Sequence, residues 1–271
     1  MTSATARLTR ELAVFAHDVL DETDALALRH FEDGVVASHK ADRTLVTRAD
    51  TEIERTIRER IGDRFPDHGL LGEEYGEEAA DAAVSWIIDP IDATNNFVRG
   101  IGVFATLLAC RIDGNLVLGL ASAPAMAERW WAIGSEGAWR RRNGSERRMH
   151  VSSISSLGDS HLLYGRARSL GGRVAAASAQ TWRDRGFGDF WGHMLVAGGS
   201  AEAMVEDGVA PWDMAAPYVI VTAAGGRMTN LDGVPSWTDA QVLTSNGLVH
   251  DELLELLRTS AQSAHGEESR A

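Results

Sequence analysis

Residues 84–92 read Val-Ser-Trp-Ile-Ile-Asp-Pro-Ile-Asp, an apolar run that ends on two carboxylates three positions apart. Such a run belongs in a buried strand, and a carboxylate cannot follow it into a core unpaired, so the strand is expected to stop at a cleft. Pro90 fixes its own φ and biases Asp89 toward extended backbone. A sharp turn is therefore expected, with Asp89 and Asp92 facing one pocket and the Ile91 carbonyl between them. Two carboxylates and a carbonyl suit magnesium, which keeps water in its remaining octahedral positions. Taken singly, either aspartate reads better as a turn former.

Two further acidic groups stand where strands are expected to end: Gly72-Glu73-Glu74 and Trp212-Asp213. Carboxylates held there by rigid backbone project into a cleft, as a hard, oxygen-liganded cation requires. Close carboxylates repel, so bound cations account for the set better than strand-end capping does. Next comes Ala93-Thr-Asn-Asn-Phe97, a polar turn expected to open a helix. The first N–H groups and positive dipole end of such a helix suit an anion, so a phosphate can meet cation and helix terminus together.

The rest of the chain predicts a layered α/β fold of alternating helices and sheets. Leu8, Leu12, Phe15, Val19 and Leu26 fall at helical spacings. A second helix is predicted after Thr47, with Ile53, Ile57 and Ile61 one turn apart and Asp50 placed to complete a capping box; residues 40–46 read as a loop. Apolar runs at 69–71, 84–88, 103–112 and 116–121 predict a mostly antiparallel sheet, since Asp113-Gly114-Asn115 is too short for a crossover helix. The basic stretch from Trp139 to Arg148 contains an Asn143-Gly144 turn signal and reads as a solvated hairpin. Beyond residue 151 apolar strands alternate with helical stretches. The expected division is 1–150, 151–260 and a disordered polar tail at 261–271, with the active site at the junction of the two halves.

Charge limits the partners. The 271 residues include 26 basic and 39 acidic side chains, a net charge of −13 that repels nucleic acid. A phosphate substrate would feel the same field, so it too calls for bound cations. The single cysteine, Cys110, lies in an apolar run and reads as a buried thiol in a reducing compartment. Arg7, Arg10, Glu11 and Asp18 argue against a signal peptide or membrane span, so a cytoplasmic protein is expected. The nine histidines show no zinc spacing, and of the adjacent Trp130 and Trp131 one is expected in the core and the other at a subunit interface.

The ordered set Leu45-Val-Thr-Arg-Ala-Asp50, Gly72-Glu-Glu74, Trp86 to Phe97, Trp212-Asp-Met-Ala-Ala216 and Ala224-Gly-Gly226 resembles the inositol monophosphatase-like, lithium-sensitive phosphatases, from about residue 8 to 257. The resemblance implies an αβαβα sandwich of the inositol monophosphatase and fructose bisphosphatase type, a homodimer, and two or three magnesium ions. It makes Glu73, Asp89 and the Ile91 carbonyl ligands of one ion, and Asp89, Asp92 and Asp213 ligands of a second, with Glu73 helping to hold a third. Asp50 and Thr94 would orient and deprotonate the attacking water, with Glu74 hydrogen-bonded to water nearby. By spacing alone Asp50 is a helix cap, a role compatible with catalysis. Three positions depart from the family pattern: Ala93, in the phosphate-binding turn, stands where glycine is usual, Ala223 where glutamate is common, and Pro217 falls about one turn into a helix expected to begin near Asp213.

Within this superfamily the chain is similar to the histidinol-phosphate phosphatases. The likeness lies in Asn96-Phe-Val-Arg-Gly100, Ser122-Ala-Pro-Ala125 with Arg129-Trp-Trp131, Gly186-Phe-Gly-Asp-Phe190 and Ser245 to Glu252. Asp189 would favour a leaving group carrying an amine and an imidazole; it also reads as the N-cap of a helix over 190–197. Glu206 is a second substrate-binding candidate that does not discriminate among substrates, and Asn246 reads first as a turn former. Inositol 1-phosphate, a broader set of small phosphates, and a non-catalytic metal-binding regulator remain as alternatives.

Overall fold

The computed structural model describes residues 3–34, 37–39 and 45–268. Residues 40–44 of the expected loop lie outside that range. Leu45 and Val46 do not belong to a loop: Ala37–His39 (β1) and Leu45–Thr47 (β2) pair antiparallel. The chain forms two compact units, one of Met1–Arg148 with Ala215–Ile220 and one of Met149–Met214 with Val221–Ala271.

In the first unit, helices Ser3–Asp33 (α1) and Arg48–Arg64 (α2) precede strands Gly69–Gly72 (β3), Gly76–Glu78 (β4) and Val84–Asp92 (β5). A short helix Thr94–Val98 (α3) leads to Ala105–Ile112 (β6), Asn115–Ala123 (β7), Glu128–Ile133 (β8), Ala138–Arg142 (β9) and Ser145–Met149 (β10). These strands make one sheet in the order β10-β9-β8-β7-β6-β5-β3-β4. It is antiparallel except where β3 runs parallel to β5.

The Thr47 capping box starts α2 as its spacing predicts. Ile53, Ile57 and Ile61 are fully buried in one core with Leu12, Val19, Trp86, Ile88, Leu118 and Leu120. Each such side chain contributes roughly 1.5–3 kcal/mol by burial. The opposite face of β7 is shaped by Gly119, where an added Cβ would lie 2.7 Å from the Ala216 carbonyl oxygen. That close approach seats the middle of helix Pro211–Ala223 (α7).

The expected hairpin joins β9 and β10 through left-handed Asn143 and Gly144. Arg140 and Arg142 pair with Glu128 at 2.7 and 3.0 Å, so part of its basic charge serves the sheet. Trp130 and Trp131 are both buried, rather than one in the core and one at the surface, and Arg140 lies over the Trp130 ring. Cys110 is fully buried, and burial pushes its thiol well above the usual range, as a structural cysteine requires.

The second unit contains His161–Tyr164 (β11), Ala167–Leu170 (α4), Gly172–Ser178 (α5), Arg183–Arg185 (β12), Asp189–Ala197 (α6) and Ala203–Asp207 (β13). The ends of α7, Arg227–Asn230 (β14), Gln241–Ser245 (β15) and His250–Glu268 (α8) complete it. Its sheet runs β12-β11-β13-β15-β14, with parallel pairing on both sides of β11 and antiparallel pairing elsewhere. Alternation along the strands separates two cores. Leu162, Val205 and Leu243 pack with Val174 of α5 and Leu253 and Leu257 of α8, whereas Leu163 and Met204 pack with Val196 of α6.

The backbone of α8 continues as helix to Glu268 through most of the stretch expected to be a disordered tail; 269–271 lie outside the described residues. Asn246 is a turn former: its Oδ1 accepts from the N–H groups of Leu248 and Val249, and its Nδ2 donates to the Ile154 carbonyl. Among the described residues no helix is long and apolar enough to cross a membrane.

His250, at the start of α8, is fully buried between Thr229 Oγ1 (3.0 Å) and Ser245 Oγ (2.8 Å). Burial, with Arg227 adding to it, lowers its pKa to about 4. The unfolded chain therefore takes up this proton first, so the contribution is complete above the ordinary histidine range and is lost as pH falls toward 4. The melting temperature of wild type should drop more between pH 7 and pH 5 than that of His250→Gln, by thermal denaturation at both pH values. Parallel pH profiles would mean that His250 carries none of this dependence.

Candidate active site

Strand β5 carries its carboxylates differently from the expected turn. It continues through Pro90 to Asp92, and the ladder with β6 absorbs the irregularity as a register shift: Asp89 pairs with Leu107 and Asp92 with Ala105. The Thr106 hydroxyl donates to the Pro90 carbonyl at 2.9 Å and fixes the bulge. Proline is tolerated in a central strand at such an irregularity. Asp213 likewise does not end a strand. It lies in the first turn of α7, its Oδ2 accepting from the Ala210 N–H at 2.8 Å.

One oxygen from each of Asp89, Asp92 and Asp213 lies within 4.8 Å of the others, with Asp89 and Asp92 buried. Glu73 and Glu74 are not part of that triad; they follow β3, where the Glu73 N–H donates to the Ile88 carbonyl. The Ile91 carbonyl accepts the Thr94 hydroxyl at 3.0 Å, which links two further candidates.

Asp50 is fully buried. Its Oδ2 accepts from the Thr47 N–H (2.8 Å) and hydroxyl (2.5 Å), whereas its Oδ1 is buried without a hydrogen-bond partner. Burial raises its pKa to about 6; the Thr47 hydrogen bonds oppose the rise, and the nearby Glu73 charge adds to it. A buried, unpartnered carboxylate oxygen and an all-oxygen donor set fit a hard divalent cation and its waters.

Ala93 precedes α3 with φ 66° and ψ 44°. This is the left-handed region, so alanine carries here the strain that a glycine would avoid. Pro217 lies well inside α7, beyond the positions that tolerate a missing N–H, and cannot donate to the carbonyl four residues back. Nothing in the structure accounts for Ala223.

In the second unit, Gly188 rather than Asp189 is the N-cap of α6, and it makes no side-chain cap; Asp189 is the first helical residue, with φ 57°. Its N–H donates to Glu206 Oε1 at 3.0 Å. Glu206 Oε2 lies 3.1 Å from His193 Nε2, and His193 Nδ1 is 2.9 Å from Thr244 Oγ1. A Cβ on Gly165 would come within 2.2 Å of Glu206 Oε1. Loss of water and the Glu206 charge together raise the Asp189 carboxyl above the ordinary range.

Sequence reasoning gave His193 no specific partner and missed Glu54 altogether. Glu54 is fully buried on α2 and accepts from the N–H groups of Glu74 (2.7 Å) and Tyr75 (3.2 Å). Its signal was Gly72, a residue with no room for a Cβ beside that carboxylate.

A layered α/β chain with three converging carboxylates and a short polar helix beside them defines a phosphoric monoester hydrolase of the metal-dependent kind. It belongs to the inositol monophosphatase family, whose model matches residues 8–265. It is 42% identical over 224 residues to a histidinol-phosphatase of Mycobacterium tuberculosis, covering 80% of this chain and 86% of that protein. A histidinol-phosphatase of Streptomyces coelicolor is 40% identical over 256 residues, covering 89% and 95%. Among solved structures, a Thermotoga maritima IMPase superposes with a TM-score of 0.83 at 30% identity, covering 93% of this chain and 99% of that one.

The Ala93 strain is measurable. Left-handed backbone costs a residue with a Cβ about 1–2 kcal/mol, partly offset by the greater unfolded-state freedom of glycine. Ala93→Gly should therefore raise stability in urea denaturation, by about 0.5–1 kcal/mol. A loss of stability would contradict the left-handed assignment.

Proposed function

We propose that this protein hydrolyses L-histidinol phosphate to L-histidinol and phosphate with two or three magnesium ions, as a cytoplasmic homodimer. The observation that carries the substrate is the 40–42% identity, over most of the chain, to two histidinol-phosphatases. In this reading Glu73, Asp89 and the Ile91 carbonyl hold one ion, Asp89, Asp92 and Asp213 a second, and Glu73 helps to hold a third. Magnesium held there would supply Lewis acidity at the phosphoryl oxygens and a water of lowered pKa.

The chain's own groups do the rest. Asp50 takes a proton through Oδ1, which is buried and without a hydrogen-bond partner, and its raised pKa suits a base. The Thr94 hydroxyl orients the attacking water, and Glu74 holds a further one. The backbone N–H groups of Ala93 and Thr94 receive the phosphate. Asp189 attracts the cationic end of the leaving group, and Glu206 stands behind it, bonded to its N–H.

Phosphate release with magnesium, measured side by side on histidinol phosphate, inositol 1-phosphate and fructose 1,6-bisphosphate, tests the substrate. Histidinol phosphate should turn over fastest; faster release from inositol phosphate overturns the assignment. Asp92→Asn should lower turnover of every substrate by at least about 100-fold, the upper end for loss of a group that orients a metal ligand. Near-normal activity would remove Asp92 from the ligand set.

Asp189→Asn separates the leaving-group pocket from the reaction. Losing one charge-assisted contact of about 1.5–3 kcal/mol predicts a loss of roughly 10–150-fold in kcat/KM on histidinol phosphate, with little change on inositol 1-phosphate. Equal losses on both substrates would make Asp189 a structural residue of α6.

A further inference from the structure

Helix α2 carries Asp50, Glu54 and Arg58 at successive four-residue intervals, a single row along one face. The three do different things. Asp50 closes the capping box, whereas Glu54 reaches the turn after β3, twenty residues on. Its Oε2 accepts from the Glu74 N–H at 2.7 Å and its Oε1 from the Tyr75 N–H at 3.2 Å. Arg58 Nε donates to Oε1 at 2.8 Å, and Arg58 also bonds the Gly76 carbonyl and approaches Glu78 at 3.5 Å. One buried carboxylate and its arginine thus grip the link between β3 and β4 along its length.

The approach is possible because residue 72 is glycine: a Cβ there would fall 2.0 Å from Glu54 Oε1. A burial this complete is costly for a carboxylate, and an apolar side chain would pack α2 against the sheet at no such cost. Capping the helix does not require it either, since Thr47 and Asp50 already do so. The geometry points to Glu54 as a positioning residue that holds the turn carrying Glu73 against the helix that carries Asp50. Asp50 and the Glu73 turn are then referred to one rigid helix, and an error in either would appear at the metal. The inference rests on the proposed reading of Glu73 as a metal ligand.

The test uses the full chain and Mn²⁺ alone, with bound ion counted by electron paramagnetic resonance and thermal melting followed in parallel. Glu54→Gln keeps the shape, but its amide nitrogen cannot accept from a backbone N–H. Mn²⁺ should bind roughly 10–100-fold more weakly, the range for groups that orient metal ligands. Gly72→Ala, which forces the turn away from an intact Glu54, should weaken Mn²⁺ binding in the same direction and decides the matter if Glu54→Gln does not fold. Unchanged Mn²⁺ affinity with a lowered melting temperature would make Glu54 a structural residue only and overturn the inference. Failure of wild type to bind Mn²⁺ would overturn the metal reading itself, and this inference with it.

Discussion

Mutual repulsion among Asp89, Asp92 and Asp213 is the constraint on which the rest of the structure depends. Two unit charges about 5 Å apart repel by roughly 3 kcal/mol at an effective dielectric near 20. Three such pairs approach the whole net stability of a domain, about 5–15 kcal/mol. Such a cluster must be held by strong restraints and compensated by positive charge. The restraints are backbone and packing: β5 is flanked by β3 and β6, Thr106 ties the Pro90 carbonyl, and Gly119 lets Ala216 of α7 come close to β7. Asp213 sits two residues before the part of α7 that belongs to the first unit. A divalent cation is the compensation that suits an all-oxygen site.

Asp50 can serve the fold and its proposed chemistry without conflict. A carboxylate has two oxygens. Thr47 occupies one and thereby starts α2, and the other is left buried without a hydrogen-bond partner. One turn later the division differs, since at Glu54 both oxygens are spent on N–H donors. Along one helix face, the proposed roles shift from proton transfer to support according to which lone pairs the fold leaves open.

What could be read from the sequence was what local spacing determines. The Thr47 box, the isoleucine stripe of α2 and the Asn143-Gly144 hairpin each depend on residues within about one turn of one another, and each appears as expected. Pro90 was misread because the ladder with β6 resumes at Asp92 beyond the irregularity, although the ladder with β3 has already ended at Ile88. Asp213 was assigned to a strand end because Pro211 and Trp212 give no helical period before it. Glu54 was invisible for a different reason: its partners lie twenty residues away, and its only trace was a glycine whose need for space cannot be seen without the neighbour.

The proposed leaving-group pocket poses a separate question, because the carboxylate cluster would serve any phosphate ester alike. Asp189 holds a left-handed φ of 57° between Gly188 and Phe190. Glycine meets that conformation most cheaply, and asparagine or aspartate follow at some cost. Were backbone geometry the only requirement, glycine would be the better residue. A strained, exposed aspartate kept near the buried Glu206 carboxylate bears both a conformational and an electrostatic cost. Glu206 offsets part of the first by accepting the Asp189 N–H, and His193 neighbours the other Glu206 oxygen. The remaining cost is explained if a cation completes the group when substrate binds, which a leaving group bearing an amine and an imidazole would supply and a neutral polyol would not.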